Sequence, residues 1–517
     1  MNFKTISLIA ILLSIQVGLS GQATSTLDIN QIKAQFESDA TLFNEVFEIP
    51  QGSFNNTMFV GQVWIGGLDS SGQLHMTAQT YRQQGNDLFY GPIADNYLDP
   101  TYSQHDDVAK VGIYDINDHI LNYTTPGYIV PFKIADWPAN GNVLNGEAAT
   151  LAPYVDFNSN GTYDPANGDY PFIYGDQAVY FIANDARNPH TETGGLPMGI
   201  EIHGMAYAIG TTDSILAQTI FLRLEIINRS SNNYDSVFFG LFVDMDLGFW
   251  GDDYVGCDSS NNFFYTYNAT NNDPVFGARP PAQGCMLLNH PISKFIYFTD
   301  DTSVQGFPST DVEYYQYLKG RWKDNTPLTY DSTGYGGTSQ ANYMFPGNPH
   351  SNVGWTERGL NNYPYDRRGL MSVGPLSFPA NGKICADFAF PFARNLTGSN
   401  FSAITNLRNR VQILQNNYNS APPSCDISSN IFSGIPSPNT IKILPNPTTG
   451  KFRMSVDNAL SEKHNTIRVF NSIGECVLSI VNKSLSEDFD LNDFAVGIYF
   501  VEIINGDRKF TGKIIKN

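Results

Sequence analysis

The stretch Asp156-Phe-Asn-Ser-Asn-Gly-Thr-Tyr-Asp164 carries an oxygen-bearing side chain at every second position. Asp156, Asn158 and Asn160 would supply side-chain oxygens, Thr162 a backbone carbonyl, and Asp164 and Asp169 two carboxylates to close the sphere. That is hard-cation chemistry: calcium takes six to eight oxygens around one point, and Gly161 permits the sharp turn such a loop needs. The twelfth position holds Asn167 rather than a bidentate glutamate, and no helical pattern flanks the segment. The competing reading is an Asn/Asp/Gly-rich surface turn held by bonds from its own side chains to its backbone.

A second acidic set lies between Val243 and Asp258. Asp244 and Asp246 end an apolar alternating run at i, i+2, so both carboxylates point to one face of a strand. Asp252, Asp253 and Asp258 follow in a Gly-containing segment that reads as a loop able to fold back over them. Carboxylates gathered at one strand end repel unless a cation or water screens them. Calcium is therefore expected here too. The alternative is a solvated acidic loop, against which Trp250 and Tyr254 suggest a segment that packs.

Other chemistry is thin. His190-x-Glu192 and Glu201-x-His203 invite a zinc reading, but neither has H-E-x-x-H spacing on a helix, and both read better as satisfied structural groups. There is no G-x-S-x-G elbow and no P-loop, and no residue is assigned a catalytic role. Trp64, Trp322 and Trp355 are aromatic platforms on which a sugar could stack, or simply core.

The elements that must position these groups are strands. Only 15% of the 517 residues are charged while 13% are aromatic, and Gly, Asn, Ser and Thr abound, a composition that favours strands and turns over helices. Fifty acids against 30 Lys and Arg exclude a basic nucleic-acid surface. Met58 to Tyr81 reads as strand, turn at Asp69-Ser-Ser-Gly72, and strand. Thr219 to Asp244 reads as a hairpin, with Ile220, Leu222, Leu224 and Ile226 answered by Val237, Phe239, Leu241 and Val243 across Asn228 to Asp235. Asp28 to Glu45 is expected to be helical. The expected architecture is all-β: a large sandwich or jelly-roll-like body over residues 22–424, in one or two sub-domains, then a small immunoglobulin-like sandwich over 441–517.

Between them, 425–440 is Ser- and Pro-rich without apolar period and reads as a linker. From Ile441 onward there are ten Lys and Arg against nine acids, which leaves 20 basic and 41 acidic residues for the rest. The negative charge belongs to the body. At the front, Lys4, the apolar run Ile6 to Ile15 and the small residues Gly18-Leu19-Ser20-Gly21 read as a secretory signal peptide over 1–21. In the oxidising compartment this implies, Cys257–Cys285 and Cys385–Cys425 are candidate disulfides, and Cys476 is the odd thiol. No later stretch approaches eighteen uninterrupted apolar residues.

The tail alternates strand and turn throughout, with strands expected over Lys451 to Val456, Thr466 to Phe470, Cys476 to Val481, Ile498 to Ile504 and Lys509 to Ile515, and turns at Asn471-Ser-Ile-Gly474 and Asn505-Gly506. Its motifs occur in order: Leu444-Pro445-Asn446-Pro447-Thr448-Thr449-Gly450, then Ile467 to Phe470 leading to Gly474, then Gly497-Ile498-Tyr499, then Lys513-Ile514-Ile515-Lys516. This tail resembles the C-terminal sorting domain of type IX secretion cargo of the Bacteroidota. The resemblance implies a secretion translocon and surface processing machinery as partners, and a cargo released or attached at the outer cell surface. The segments beginning at Val63, Asp156, His190 and Gly240 resemble a module recurring in secreted proteins of the same bacteria, and the 156–169 loop is similar to those of dockerins and thrombospondin-type repeats. The function expected is a secreted or surface-attached, calcium-stabilised, non-enzymatic protein serving adhesion or ligand binding, with a glycan or surface ligand. The alternative is a secreted hydrolase acting on polysaccharide or protein.

Overall fold

Strands whose residues are buried in unbroken runs set the architecture. Every residue of Thr219–Asn228 is buried, as are ten of eleven in Lys383–Ala393, so these strands are covered on both faces. A computed structural model describes residues 22–81, 85–420, 422–425, 441–446, 448–455, 465–471, 476–481, 488–505 and 508–516. The expected signal peptide, the linker from 426, Pro447, Gly474 and Gly506 lie outside the described residues. The chain divides into two compact units, residues up to 154 with 160–431, and residues 155–159 with those from 432.

The first unit is built on two antiparallel sheets. One orders Thr24–Leu27, Lys33–Glu37, Leu42–Glu48, Val60–Leu68, Tyr234–Asp244, Arg368–Phe378 and Lys294–Phe298 side by side, with Leu74–Thr77 also on Val60–Leu68. The other orders Asp253–Asp258, Phe263–Asn268, Ala282–Leu287, Lys383–Ala393, Thr219–Asn228, Ile200–Ala208, Gln177–Asn184 and Phe89–Tyr90, with Ala109–Gly112 also on Gln177–Asn184. Their inner faces share one apolar core: Ile220, Leu222, Leu224 and Ile226 from the second sheet join Val237, Phe239, Leu241 and Val243 from the first. The expected all-β sandwich body is what forms.

The second sheet is buried on its outer face too. The helix Asn400–Ser420 lays Ala403, Ile404, Leu407, Val411 and Leu414 against Tyr265, Met286 and Ala389. Farther along, Ile116, Ile134 and Trp137 of an inserted segment pack on Tyr180 and Met205. Polar groups trapped beneath these covers are paired: Arg223 meets Asp387 at 2.9 Å, and Lys383 meets Glu225 at 3.0 Å. A buried charge is tolerable only with such a partner.

Two expectations fail. Asp28 to Glu45 is not a helix but the strands Lys33–Glu37 and Leu42–Glu48. Ile32, Ala34 and Phe36 are fully buried at period two, and Asp39 accepts the Thr41 N–H at 3.0 Å to turn the chain. That alternation outweighs the looser helical spacing. Thr219–Asn228 and Tyr234–Asp244 do not form a hairpin either. The first pairs with Ile200–Ala208 and Lys383–Ala393, the second with Val60–Leu68 and Arg368–Phe378, so the connection carries the chain from one sheet to the other. The Asn228 amide anchors that crossing, donating to Asn232 O at 2.9 Å and Pro379 O at 3.0 Å. The strand–turn–strand at 58–81 forms as expected, Val60–Leu68 on Leu74–Thr77.

Cys385 and Cys425 are joined, Cα atoms 5.7 Å apart, tying the end of the long helix to the second sheet. Cys257 and Cys285 are not: they lie on the two strands that flank Phe263–Asn268, both registering with Phe264. Two strand spacings, roughly 9–10 Å, exceed disulfide reach. Cys476 is free and exposed. Because the bridge spans 40 residues of chain, replacing Cys385 and Cys425 together by Ser is expected to lower stability by about 4 kcal/mol, read as a lower urea midpoint. A loss under about 1 kcal/mol would refute that role.

The second unit contains the tail, whose five anticipated strands are Lys451–Ser455, Asn465–Asn471, Cys476–Val481, Gly497–Asn505 and Arg508–Lys516. With Lys442–Leu444 and Phe489–Asp490 they make a three-stranded and a four-stranded sheet around Phe452, Ile467, Val469, Phe489, Val501 and Ile514.

Candidate functional site

Asp244 is the last residue of Tyr234–Asp244 and registers directly opposite Arg368, the first residue of Arg368–Phe378. Asp246 follows two positions after the one, and Asp366 precedes the other by two. Alternation therefore turns all four toward one face at the joint end of two neighbouring strands. The ligand oxygens of Asp244, Asp246 and Asp366 lie within 4.8 Å of one another, the sole three-residue set of His, Cys, Asp or Glu among the described residues that does. Arg368 reaches Asp366 at 2.8 Å and Asp244 at 3.3 Å.

Burial drives Asp244 well above the usual carboxylate range; Arg368 pulls against it, and Asp366 and Asp246 add repulsion. Burial, with Asp366 beside it, pushes Asp246 up to about 7. Asp366 is raised by burial against the pull of the same guanidinium. One oxygen on each of Asp244 and Asp366 is buried and meets no N–H or hydroxyl donor, and the two carboxyl groups stand within hydrogen-bonding reach of each other. Three carboxylates share one Arg. The set opens on a recess of about 250 Å³ whose other walls are Phe59, Tyr81, Trp250 and Asp300.

Of the residues anticipated around Asp244, the structure keeps some near and sends one away. What read as a loop is a single 3-10 turn, Trp250–Asp252, followed by the strand Asp253–Asp258. Asp253 accepts the Leu247 N–H at 3.0 Å, and burial carries its carboxyl well above the usual range. Asp252 takes the Asn268 amide and is raised to about 6 by burial and by Asp273. Asp258 stands at the far end of that strand, where it pairs with Arg408 at 3.2 Å. Asp366, Arg368 and Asp273 escaped the sequence reading. Asp366 and Arg368 show the same i, i+2 alternation as Asp244 and Asp246, but only the register joins the two pairs.

The 156–169 segment is held by its own side chains where the described bonds fall. Asn160 accepts the Thr162 N–H at 2.8 Å and donates to Asp164 at 2.9 Å, Asn167 donates to Asp164 at 2.8 Å, and Asp169 accepts the Asp164 N–H at 2.9 Å. Asp156 and Asp169 are buried, whereas Asn158 is exposed. Asp156 and Asn158 fall in the second unit and Asn160 onward in the first.

The two His stretches are structural. His190 sits with its ring nitrogens 2.8 Å from Met76 O and Asp185 O, while Glu192 takes the hydroxyls of Thr80 and Tyr314. His203 meets Glu201 at 2.7 Å and Leu151 O at 2.6 Å. The slot beside His203 holds only about 20 Å³, room for about one water. Trp64 and Trp322 are fully buried core, and Trp355 is half-buried with its indole N–H on Asp331 O, so the anticipated stacking platforms do not face solvent freely. Trp250 does: it is 42% exposed.

In the tail, the motif residues do structural work. Lys516 is buried, and its ammonium sits on the carbonyls of Asn492 and Phe494. Tyr499 is buried with its hydroxyl on Ala495 O at 2.6 Å. Gly450 has φ +146°, and a Cβ there would lie 1.9 Å from the Asn492 amide oxygen, so only glycine fits. Pro445 and Asn446 are exposed, Gly497 begins the strand toward Tyr499, and Lys513 lies in the closing strand Arg508–Lys516. Residues 442–517 match the family model of the secretion system C-terminal sorting domain. The tail is the sorting domain of type IX secretion cargo.

No curated protein matches the chain. Among solved structures, a polysaccharide lyase aligns at 8% identity over 61% of this chain and 34% of its own length, with a TM-score of 0.17. The adhesin domain of Epf from Streptococcus pyogenes aligns at 7% identity over 65% of this chain and 90% of its own, with a TM-score of 0.12. The cargo chain thus spans about a third of the lyase, and at these scores neither likeness carries an argument. No helix among the described residues is long and apolar enough to cross a membrane.

Proposed function

We propose that the exported body is a calcium-dependent ligand-binding module of the cell surface or its surroundings, the ion held by Asp244, Asp246 and Asp366. The observation that carries this reading is the convergence of three carboxylates within 4.8 Å around one Arg368, with two of their oxygens buried and met by no N–H or hydroxyl donor. Fully ionised, the three acids and Arg368 sum to minus two, which one divalent cation neutralises. Three aspartates supply three to six of the six to eight oxygens calcium takes, and the open recess supplies the rest from water or from a ligand. A buried carboxylate oxygen that meets no donor costs about 1–3 kcal/mol or more, and metal coordination removes that cost.

The mature chain at saturating calcium is expected to unfold about 3 °C higher than in chelator, as binding at 100 times the dissociation constant gives about 2.7 kcal/mol. Asp366→Asn should abolish the shift. A shift that survives in Asp366→Asn would place the ion elsewhere, and the absence of any shift together with no heat of calcium binding would sink the reading.

One observation favours a second reading, a hydrolase: the recess is concave and its acids converge. Separations under 4.8 Å leave no space for the water that an inverting glycosidase places between its carboxyl groups, which stand about 6.5–9.5 Å apart. A retaining acid–nucleophile pair, about 5–5.5 Å apart, comes nearer. Turnover on a glycan and peptide panel, lost in a folded Asp246→Asn variant, would establish that reading over binding alone.

A further inference from the structure

We infer that the ligand of this recess is a neutral sugar, which sets a pair of adjacent hydroxyls on the cation and lays its ring against Trp250. The inference rests on the cation reading above and goes beyond it in naming the ligand's chemistry. Trp64, Trp137 and Trp322 are buried in apolar cores, and Trp355 is half-buried against one, as their size leads one to expect. Trp250 is 42% exposed, and it lines the recess that holds the carboxylates. Its ring packs edge-on to Tyr365 at 5.4 Å and tilted on Phe249 at 5.3 Å, contacts that restrict how far it can turn. Across the same recess Phe59 and Tyr81 pack edge to face at 5.8 Å. An aromatic face beside an oxygen-coordinated ion offers a sugar both things it presents: an apolar ring face and hydroxyls able to replace metal-bound water.

Charge selects among sugars. With the ion bound, the three acids and Arg368 sum to zero, and the exposed Asp300 on the rim adds one negative charge. The body around it, residues 22–424, carries 40 acidic against 19 basic residues. An anionic uronate or sulfated glycan approaches against that field, whereas a neutral one does not.

The test is binding of the full mature chain to neutral polysaccharides (mannan, galactan, xylan) and to polygalacturonate, in calcium and in chelator, with calcium binding measured separately by calorimetry. A neutral glycan held in calcium, released by chelator and bound at least tenfold more weakly by Trp250→Ala, while that variant keeps its calcium heat, is the expected result. Equal binding by Trp250→Ala, or preference for polygalacturonate, would overturn the inference. Calcium bound with no glycan retained would overturn it as well and leave the cation reading standing. No calcium bound by the wild-type chain would remove both.

Discussion

Replacing Arg368 by Met is expected to cost about 3–5 kcal/mol of stability in chelator, because it strips the buried acid cluster of its counter-charge. The guanidinium is almost fully buried, spans Asp366 and Asp244, and lies 4.7 Å over the Phe307 ring. Burial works against its charge, yet Asp244 and Asp366 hold it more firmly protonated than an ordinary arginine. With calcium saturating, the ion offsets the exposed deficit, so the same substitution should cost visibly less. Urea unfolding of wild type and variant, each with calcium and with chelator, reads both numbers. Equal losses in the two conditions would show that no cation acts on these acids.

The next largest effect belongs to Glu201, far from the recess. Its carboxylate is buried, yet accepts from His203, from the Arg229 guanidinium at 2.7 Å and from the Ile93 N–H at 2.8 Å. Burial alone would raise this carboxyl; the His203 bond and charge and the Arg229 charge overcome it and hold the group down at about 2. A carboxyl depressed on folding stabilises fully above its unfolded value and loses that contribution as pH falls through the folded one. Glu201→Gln should therefore cost about 3 kcal/mol at pH 7, from a shift of some 2.5 pH units, and about half that at pH 3. The amide cannot mimic the carboxylate, since whichever way it is turned, one N–H meets another donor. A loss under about 1 kcal/mol at pH 7, or one that does not shrink at pH 3, would contradict this account.

Much of the tail was legible because its information is local. Strand alternation, turn residues and motif order all lie within a few residues of one another, and the five anticipated strands occur where the pattern puts them. In the body, alternation correctly marked which residues of 219–244 face the core, and failed to show that the two strands belong to different sheets. A buried strand reads the same whether its partner is its neighbour in sequence or lies 150 residues on. The short period-two run at Ile32, Ala34 and Phe36 was overruled by a looser helical spacing around it, since partial matches to both periods coexist in eighteen residues.

The candidate site divides along the same line. By itself the sequence determined an all-β chain with an export tail, an acidic body, and two aspartates on one face of a strand end, because composition, motif order and i, i+2 alternation are properties of adjacent residues. Only the tertiary structure decided that Asp366 and Arg368, about 120 residues away, complete that pair, that Asp258 leaves it, and that Trp250 rather than Trp64 or Trp322 faces solvent beside it. Those outcomes follow from strand register and from which faces the second sheet and the inserted segments cover, and both are set by pairings between distant parts of the chain.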